Sequence, residues 1–363
     1  MKFRKLGNSG MYVSEISYGT MFLGGAQFQA TNNPVTAEEG KVCLEKAIGV
    51  GMNYIDSADI YGAYGPAETI VGNTIKDYDR SELVIATKAC IPMSKHANHR
   101  GLSRKHLFDS IQGSLQRLQT TYVDLYYCHR PDYSTQLIET VRTMNYLIDR
   151  GQILHWGTSN WPSADLERAF GIAEKLGLEG PVVDQSKYNL YTRSAVEQGL
   201  PYTIDGWDLG IVAYKVLSDG VLTGMYDDVE FKELNEKQLA NLTGMKRRGI
   251  PFDKDDLSKL KKFGQIAKDL DIKPSQLAYA WTLSNSDVSS AIMSTRDPKR
   301  IEENIVALDV ILSVDVIEQL DELFPLDNYY DKAYNSNPYY KMKKYINSER
   351  NEDGLIPPSP GKF

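Results

Sequence analysis

Cysteine is scarce in this chain, with three in 363 residues, at positions 43, 90 and 128. That is too few for a disulfide framework, and the spacings of zinc ligands are missing, so no metal is expected and a reducing, cytoplasmic setting is the natural reading. No stretch approaches the roughly 18 apolar residues that a membrane span requires. Behind Met1-Lys2-Phe3-Arg4-Lys5 there is no apolar signal core. Positive charge is not in excess either. The 41 Lys and Arg are outnumbered by 48 Asp and Glu, for a net charge of −7, which argues against nucleic acid as the main partner. A Gly-x-Gly-x-x-Gly after the first strand is also missing, which disfavours a doubly wound sheet.

What the chain does have begins with Asn53 to Lys88. Tyr54-Ile55 and Leu83 to Thr87 are short β-like runs, each ending in an ionisable residue, Asp56 and Lys88. Strands flanking a helix lie parallel and close, so Asp56 and Lys88 are expected to meet at one C-terminal sheet edge. Tyr61, in the loop after the first run, can bend back onto them. A phenol titrates near 10. A neighbouring ammonium is expected to lower that value while a carboxylate keeps the ammonium charged and oriented, and the trio would make a tuned proton donor. A structural ion pair at a barrel rim is an equally good account of these three residues alone. A further run, Val123 to Cys128, ends in His129.

Apolar runs near residues 16, 54, 84, 124, 154, 182, 211 and 291 alternate with helical patterns. Thr36 with Glu39 forms a capping box, Ser103 caps a helix bearing Leu107, Ile111, Leu115 and Leu118, and Ser163 opens another. Eight strands with helices between them predict an α/β protein with the (β/α)8 TIM-barrel fold. Its edges are a turn-rich N-terminal hairpin around Leu6 to Gly10, a long charged insertion from Lys215 to Lys273 after the seventh strand, and a C-terminal tail. Residues 1–325 are read as the barrel and 326–363 as a Tyr- and Pro-containing extension, expected to cover the mouth or bridge subunits. Asp297, with Pro298 after it, caps a helix just beyond the eighth strand, where barrels often bind phosphate. Helix N-termini attract anions, and Arg296, Lys299 and Arg300 lie in or beside that turn.

Together these segments resemble the aldo-keto reductase family. The matching pieces are Asp56-Ser57-Ala58 with Tyr61, Lys88, His129-Arg130-Pro131-Asp132, Gly157-Thr158-Ser159-Asn160 and Gln185. Within the family, Gly101 to His106 and Glu139 to Arg142 read like the branch of the voltage-gated potassium-channel β subunits. The resemblance implies that Tyr61 donates a proton to a substrate carbonyl, that Lys88 tunes it, that Asp56 holds Lys88 and that His129 orients the carbonyl oxygen. It implies NADP as cofactor, with Ser159, Asn160 and Gln185 toward the nicotinamide carboxamide, Tyr214 stacked on its ring, and Gly19, Thr20, Met21, Asp56, Lys215 and Leu217 among the other cofactor-binding residues. Arg296, Arg300, Glu303 and Asn304 are implied around the adenosine end. The family's Ser-Pro-Leu reads Lys215-Val216-Leu217 here, a phosphate-binding Lys aligns with Met225, and a Gly before the phosphate segment is Ser294. Lys215 is placed to compensate.

The expected activity is reduction of an aldehyde or ketone by NADPH. An enzyme running mainly as a sugar or alcohol dehydrogenase, and a cofactor-sensing regulatory subunit of the channel-β type, stay open beside it. In the latter proteins the His129 position is commonly Asn, which favours a working enzyme. The partners expected are a small carbonyl or alcohol substrate, with homo-oligomer formation left open.

Overall fold

The computed structural model describes residues 1–24, 35–227, 229–230, 233–247 and 254–326. Most of the Gly/Asn-rich loop read from Met21 to Pro34, part of the charged insertion (including Arg248) and the extension from residue 327 lie outside the described residues.

Eight parallel strands close into a barrel, in the order β10-β3-β4-β5-β6-β7-β8-β9. They are β3 (Ile16–Gly19), β4 (Tyr54–Asp56), β5 (Val84–Ala89), β6 (Val123–Cys128), β7 (Ile153–Ser159), β8 (Val183–Lys187), β9 (Gly210–Tyr214) and β10 (Val288–Met293). All eight coincide with the apolar runs read from the sequence. Ahead of them, β1 (Phe3–Lys5) and β2 (Tyr12–Ser14) form the antiparallel hairpin.

The helices are α1 (Ala37–Gly49), α2 (Tyr61–Tyr64), α3 (Pro66–Ile75), α4 (Arg104–Leu118), α5 (Leu137–Asp149), α6 (Ser163–Leu176), α7 (Pro201–Trp207), α8 (Glu236–Arg247), α9 (Lys254–Asp269), α10 (Pro274–Ser284), α11 (Pro298–Ile305) and α12 (Val314–Leu323). The caps follow the sequence: Thr36 and Glu39 form the reciprocal box on α1, and Ser103 and Asp297 cap α4 and α11. One stretch differs from expectation. The insertion, expected only as a long charged stretch, carries α8 and, from Lys254, α9. Leu257, Leu260, Phe263 and Ala267 are buried, so this charged segment carries an apolar stripe at helical spacing that anchors it.

Successive side chains of a strand point to opposite faces, and that alternation sorts the core into two layers. Ile55, Ile85, Tyr126 and Cys128 pack outward with the helices. Tyr54, Val84, Ala86, Leu125, Tyr127, Val183 and Val212 pack inside the barrel, where Leu6 and Val13 of the hairpin join them. Two residues further along, the same inward phase reaches Asp56, Lys88, His129, Gln185 and Tyr214. The apolar pattern and the chemistry thus share one face, with the chemistry at the C-terminal ends, where barrel active sites lie.

Candidate active site

β4 and β5 pair in register, Asp56 beside Ala86, and Lys88 reaches back across the barrel. Its Nζ donates to Asp56 Oδ2 at 2.6 Å and to Ser57 O at 2.7 Å, and lies 3.4 Å from Tyr61 Oη. Lys88 is completely buried and Asp56 nearly so. The turn after β4 brings Tyr61 round. Gly62, Ala63, Tyr64 and Gly65 all take positive φ, between 69° and 113°. At Gly62 an added Cβ would stand 2.6 Å from Leu23 O, so only glycine fits. Ala63 and Tyr64 hold an uncommon conformation for residues with side chains, which is the kind of local strain that clusters at functional sites.

The electrostatics depart from expectation at Tyr61. Burial pushes its phenol well above the ordinary value and Asp56 adds to this, while Arg130 pulls the other way. The Lys88 ammonium was expected to lower it, but loss of hydration outweighs nearby positive charge, because burial always favours the uncharged form. Burial also lowers Lys88, against the opposing pull of Asp56. His129 is held well below the usual imidazole range by burial, then by Arg130 and Lys88. Its ring is therefore neutral near pH 7, edge-on to Tyr61 with centroids 5.8 Å apart, and its buried Nδ1 has no protein partner. A neutral phenol, a buried ammonium and a neutral imidazole converge on one spot.

Around them, Gln185 Nε2 donates to Asp56 Oδ1 at 2.8 Å. Ser159 Oγ donates to Gln185 O and accepts from Asn160 Nδ2. Asn160, in the left-handed region at φ 54°, accepts from Tyr214 Oη at 3.1 Å. Gly19 ends β3 opposite Asp56, Thr20 donates from N and Oγ1 to Asp56 O, and Met21 packs half-buried on the outer layer. Lys215 pairs with Asp219 at 2.9 Å, and Leu217 follows at the start of a short 3-10 turn.

The adenosine-end residues are less concentrated. Arg296 and Arg300 are exposed at the start of α11, with Arg300 Nε 3.8 Å from Asp297 Oδ2. Glu303 pairs with Lys273 at 3.1 Å and Asn304 accepts from Ser275, so both side chains engage the start of α10. The helix N-terminus is also less open than expected. Asp297 Oδ1 takes the Lys299 N–H and Asp297 O takes the Arg300 N–H, because a side-chain cap consumes the donors an anion would use.

Several residues escaped the sequence reading. Arg130 Nη1 donates to His129 O at 2.7 Å and to Ser159 Oγ at 3.3 Å, tying the ends of β6 and β7 together. It stood in the quoted motif without a role. Asp184 is fully buried and accepts from Thr158 Oγ1, Ser186 Oγ and the N–H groups of Asn160 and Trp161, pinning the loop that carries Asn160. Asp59 and Glu68 lie buried behind the site: Ser110 donates to Asp59, and Arg117 and Thr87 hold Glu68. Nothing in the sequence marks these carboxylates as buried.

Among the described residues, no group of three or more His, Cys, Asp or Glu is arranged to hold a metal, and no helix is long and apolar enough to cross a membrane.

Comparison with known proteins gives a consistent picture. The aldo/keto reductase family model matches residues 15–324. The chain is 37% identical over 325 residues to a probable voltage-gated potassium channel subunit beta of Oryza sativa subsp. japonica, covering 88% of this chain and 96% of that protein. It is 38% identical over 334 residues to a protein of the same description from Arabidopsis thaliana, covering 90% and 98%. A putative voltage-gated potassium channel subunit beta of Schizosaccharomyces pombe is 38% identical over 328 residues, covering 88% and 92%.

Proposed function

The chain belongs to the aldo/keto reductase family, a family of oxidoreductases, and from that premise we propose that it reduces an aldehyde or ketone with NADPH, Tyr61 acting as proton donor. The observation that carries this reading is Lys88 Nζ, buried between Asp56 Oδ2 at 2.6 Å and Tyr61 Oη at 3.4 Å. Raising the phenol makes it a weaker acid, but it keeps Tyr61 fully protonated at rest, as a proton donor must be. As the carbonyl oxygen gains charge, the proton passes from Tyr61 Oη to it, and the ammonium beside Tyr61 stabilises the phenolate left behind. Neutral His129 donates a hydrogen bond to the same oxygen and so fixes the carbonyl. Asp56, held by Gln185, keeps Lys88 in place.

The residues available suit a nicotinamide dinucleotide. Ser159, Asn160 and Gln185 offer amide and hydroxyl groups at adjoining strand ends, Tyr214 offers a ring beside them, and Lys215, Arg296 and Arg300 supply positive charge for phosphates. When bound, such a cofactor would supply the hydride, while the side chains above orient the carbonyl and deliver the proton. In this reading residues 1–325 are the reductase unit and the extension is an appendage.

The test is a panel of aldehydes and ketones with NADPH and with NADH, followed by absorbance, together with sugars and alcohols in the oxidative direction. Turnover faster with carbonyls and NADPH supports the reading, and faster alcohol oxidation reverses its direction. A second reading is favoured by the relatives' names: a subunit of a voltage-gated potassium channel that senses its cofactor. Dinucleotide binding without turnover, combined with retention by a channel, would select it.

A further inference from the structure

The loop from β7 into α6 is built around a buried anion. Asp184 on β8 pairs with Thr158 across the sheet, and its side chain lies on the opposite face from that of Gln185. It is completely buried. Each of its oxygens meets two donors. Oδ1 accepts from Thr158 Oγ1 at 2.7 Å and from the Trp161 N–H at 3.2 Å. Oδ2 accepts from Ser186 Oγ at 2.5 Å and from the Asn160 N–H at 3.2 Å, which also reaches Gln185 O. Burial raises this carboxyl, while all four donors pull it back down. Successive backbone N–H groups converge on one anion where the chain turns. Asn160 supplies the turn, with φ of 54°, a left-handed conformation that asparagine adopts more readily than most residues.

A carboxylate suits this place and an amide does not. An ionised carboxylate only accepts, and a backbone N–H only donates. One backbone N–H faces each oxygen of Asp184, so an NH2 group would stand against one of them whichever way it turned.

The same arrangement continues into the site. The Lys187 N–H lies 3.3 Å from Asn160 Oδ1, which sets the amide with its oxygen toward Lys187. That oxygen also accepts from Tyr214 Oη at 3.1 Å, and Nδ2 donates to Ser159 Oγ at 2.8 Å. Lys187 and Tyr214 are themselves partners across β8 and β9. A continuous set of contacts therefore runs from the Asp184 carboxylate through the backbone and side chain of Asn160 to the Tyr214 hydroxyl.

We propose that Asp184 is a positioning residue for the nicotinamide half of the dinucleotide: it holds Asn160 in its left-handed turn, and Asn160 in turn fixes the Tyr214 ring. The proposal deepens the reductase reading and rests on its placement of the cofactor. Asp184 acts only through the loop.

The test titrates the full chain by calorimetry with two probes, NADPH and adenosine 2′,5′-bisphosphate, which keeps the adenosine end and lacks the nicotinamide. Asp184→Asn should weaken NADPH by about tenfold, the scale of one buried hydrogen bond left unmade, with the bisphosphate within about twofold of wild type. Tyr214→Phe keeps the ring and loses only its hydroxyl. It should weaken NADPH by about threefold and add little to Asp184→Asn, as expected for residues acting through one another. NADPH affinity unchanged in Asp184→Asn overturns the proposal. Equal losses for both probes also overturn it, since general damage to the fold would produce them, and so does a fully additive double variant. If Asp184→Asn does not fold, Asp184→Ala, which sets no donor against the loop, makes the same comparison. If that variant fails too, unchanged NADPH affinity in Tyr214→Phe overturns the proposal. A selective loss of NADPH in a protein that reduces no carbonyl would uphold the positioning and refute the reductase reading.

Discussion

Lys88 and Asp56 form a buried ion pair that uses one carboxylate oxygen only: Oδ2 meets Lys88 Nζ at 2.6 Å while Oδ1 accepts from Gln185. The two partners are therefore not equivalent. Lys88→Met removes the charge beside Tyr61 outright and should cost as much turnover as losing the phenol. Asp56→Asn leaves the ammonium on Ser57 O and should cost less. Separating a buried pair typically destabilises by about 3–5 kcal/mol, so both variants should melt earlier than wild type. Steady-state rates across pH, with thermal melts, measure both effects. A Lys88→Met enzyme with a normal rate and pH profile would refute the role of the ammonium.

Tyr61→Phe should nearly abolish reduction and leave dinucleotide binding intact, since the hydroxyl faces Lys88. General acid catalysis is worth about 10²- to 10⁴-fold. Rates of carbonyl reduction and dissociation constants for NADPH, measured on the same preparation, decide it. Activity within about twofold of wild type would remove Tyr61 as proton donor, because the expected effect is far larger.

Much of this site was legible before the structure, for a physical reason. Inward-facing positions alternate along each strand, so Tyr54 and Asp56, Ala86 and Lys88, and Tyr127 and His129 continue one pattern from core to rim. What stayed hidden was burial. Lys88 alone suggested a lowered phenol at Tyr61, but the loss of water around the ring reverses the sign. Tyr54 and Tyr127 read as ordinary strand-forming aromatics, since nothing local reveals that β4 and β6, separated by β5, bring their hydroxyls to 2.8 Å. The charged stretch before Phe263 concealed the stripe of α9 because its apolar positions are sparse.

Asp59 gives a pH signature of its own. Burial, with Glu68 nearby, raises its carboxyl to about 8, against the pull of Ser110 and Arg117. Its value in the unfolded chain is near 3.8. A group raised on folding contributes stability that is fully present below the unfolded value and lost as pH rises through the folded one. Stability should therefore fall between about pH 4 and pH 8 through this residue. Asp59→Asn, which keeps the Ser110 hydrogen bond, should melt like wild type near the acid end and later than wild type near the alkaline end. Parallel melting curves for the two proteins across that range would show that Asp59 is ionised in the fold.

The choice of dinucleotide should lie in Arg296 and Arg300. NADP and NAD differ by one 2′-phosphate, so only charge at the adenosine end can separate them. The α11 N-terminus has already given the Lys299 and Arg300 N–H groups to Asp297, which leaves the two guanidinium groups as the selective element. Arg300 also lies 3.8 Å from Asp297 Oδ2, so a phosphate must compete with that carboxylate. Charge-assisted hydrogen bonds are worth about 1.5–3 kcal/mol each. The Arg296→Ala/Arg300→Ala protein should accordingly lose on the order of 10²-fold in NADPH affinity, with NADH little changed. Saturated turnover should barely move, because the contact is equal in ground and transition states. Asp297→Asn preserves the cap and removes the competing charge, and should tighten NADPH a few-fold. Dissociation constants for both dinucleotides in the three proteins make the measurement. Equal affinities in wild type, or equal losses for both in the double variant, would show that α11 does not select the 2′-phosphate and that the discrimination, if there is any, must come from Lys215 and the loop after β9.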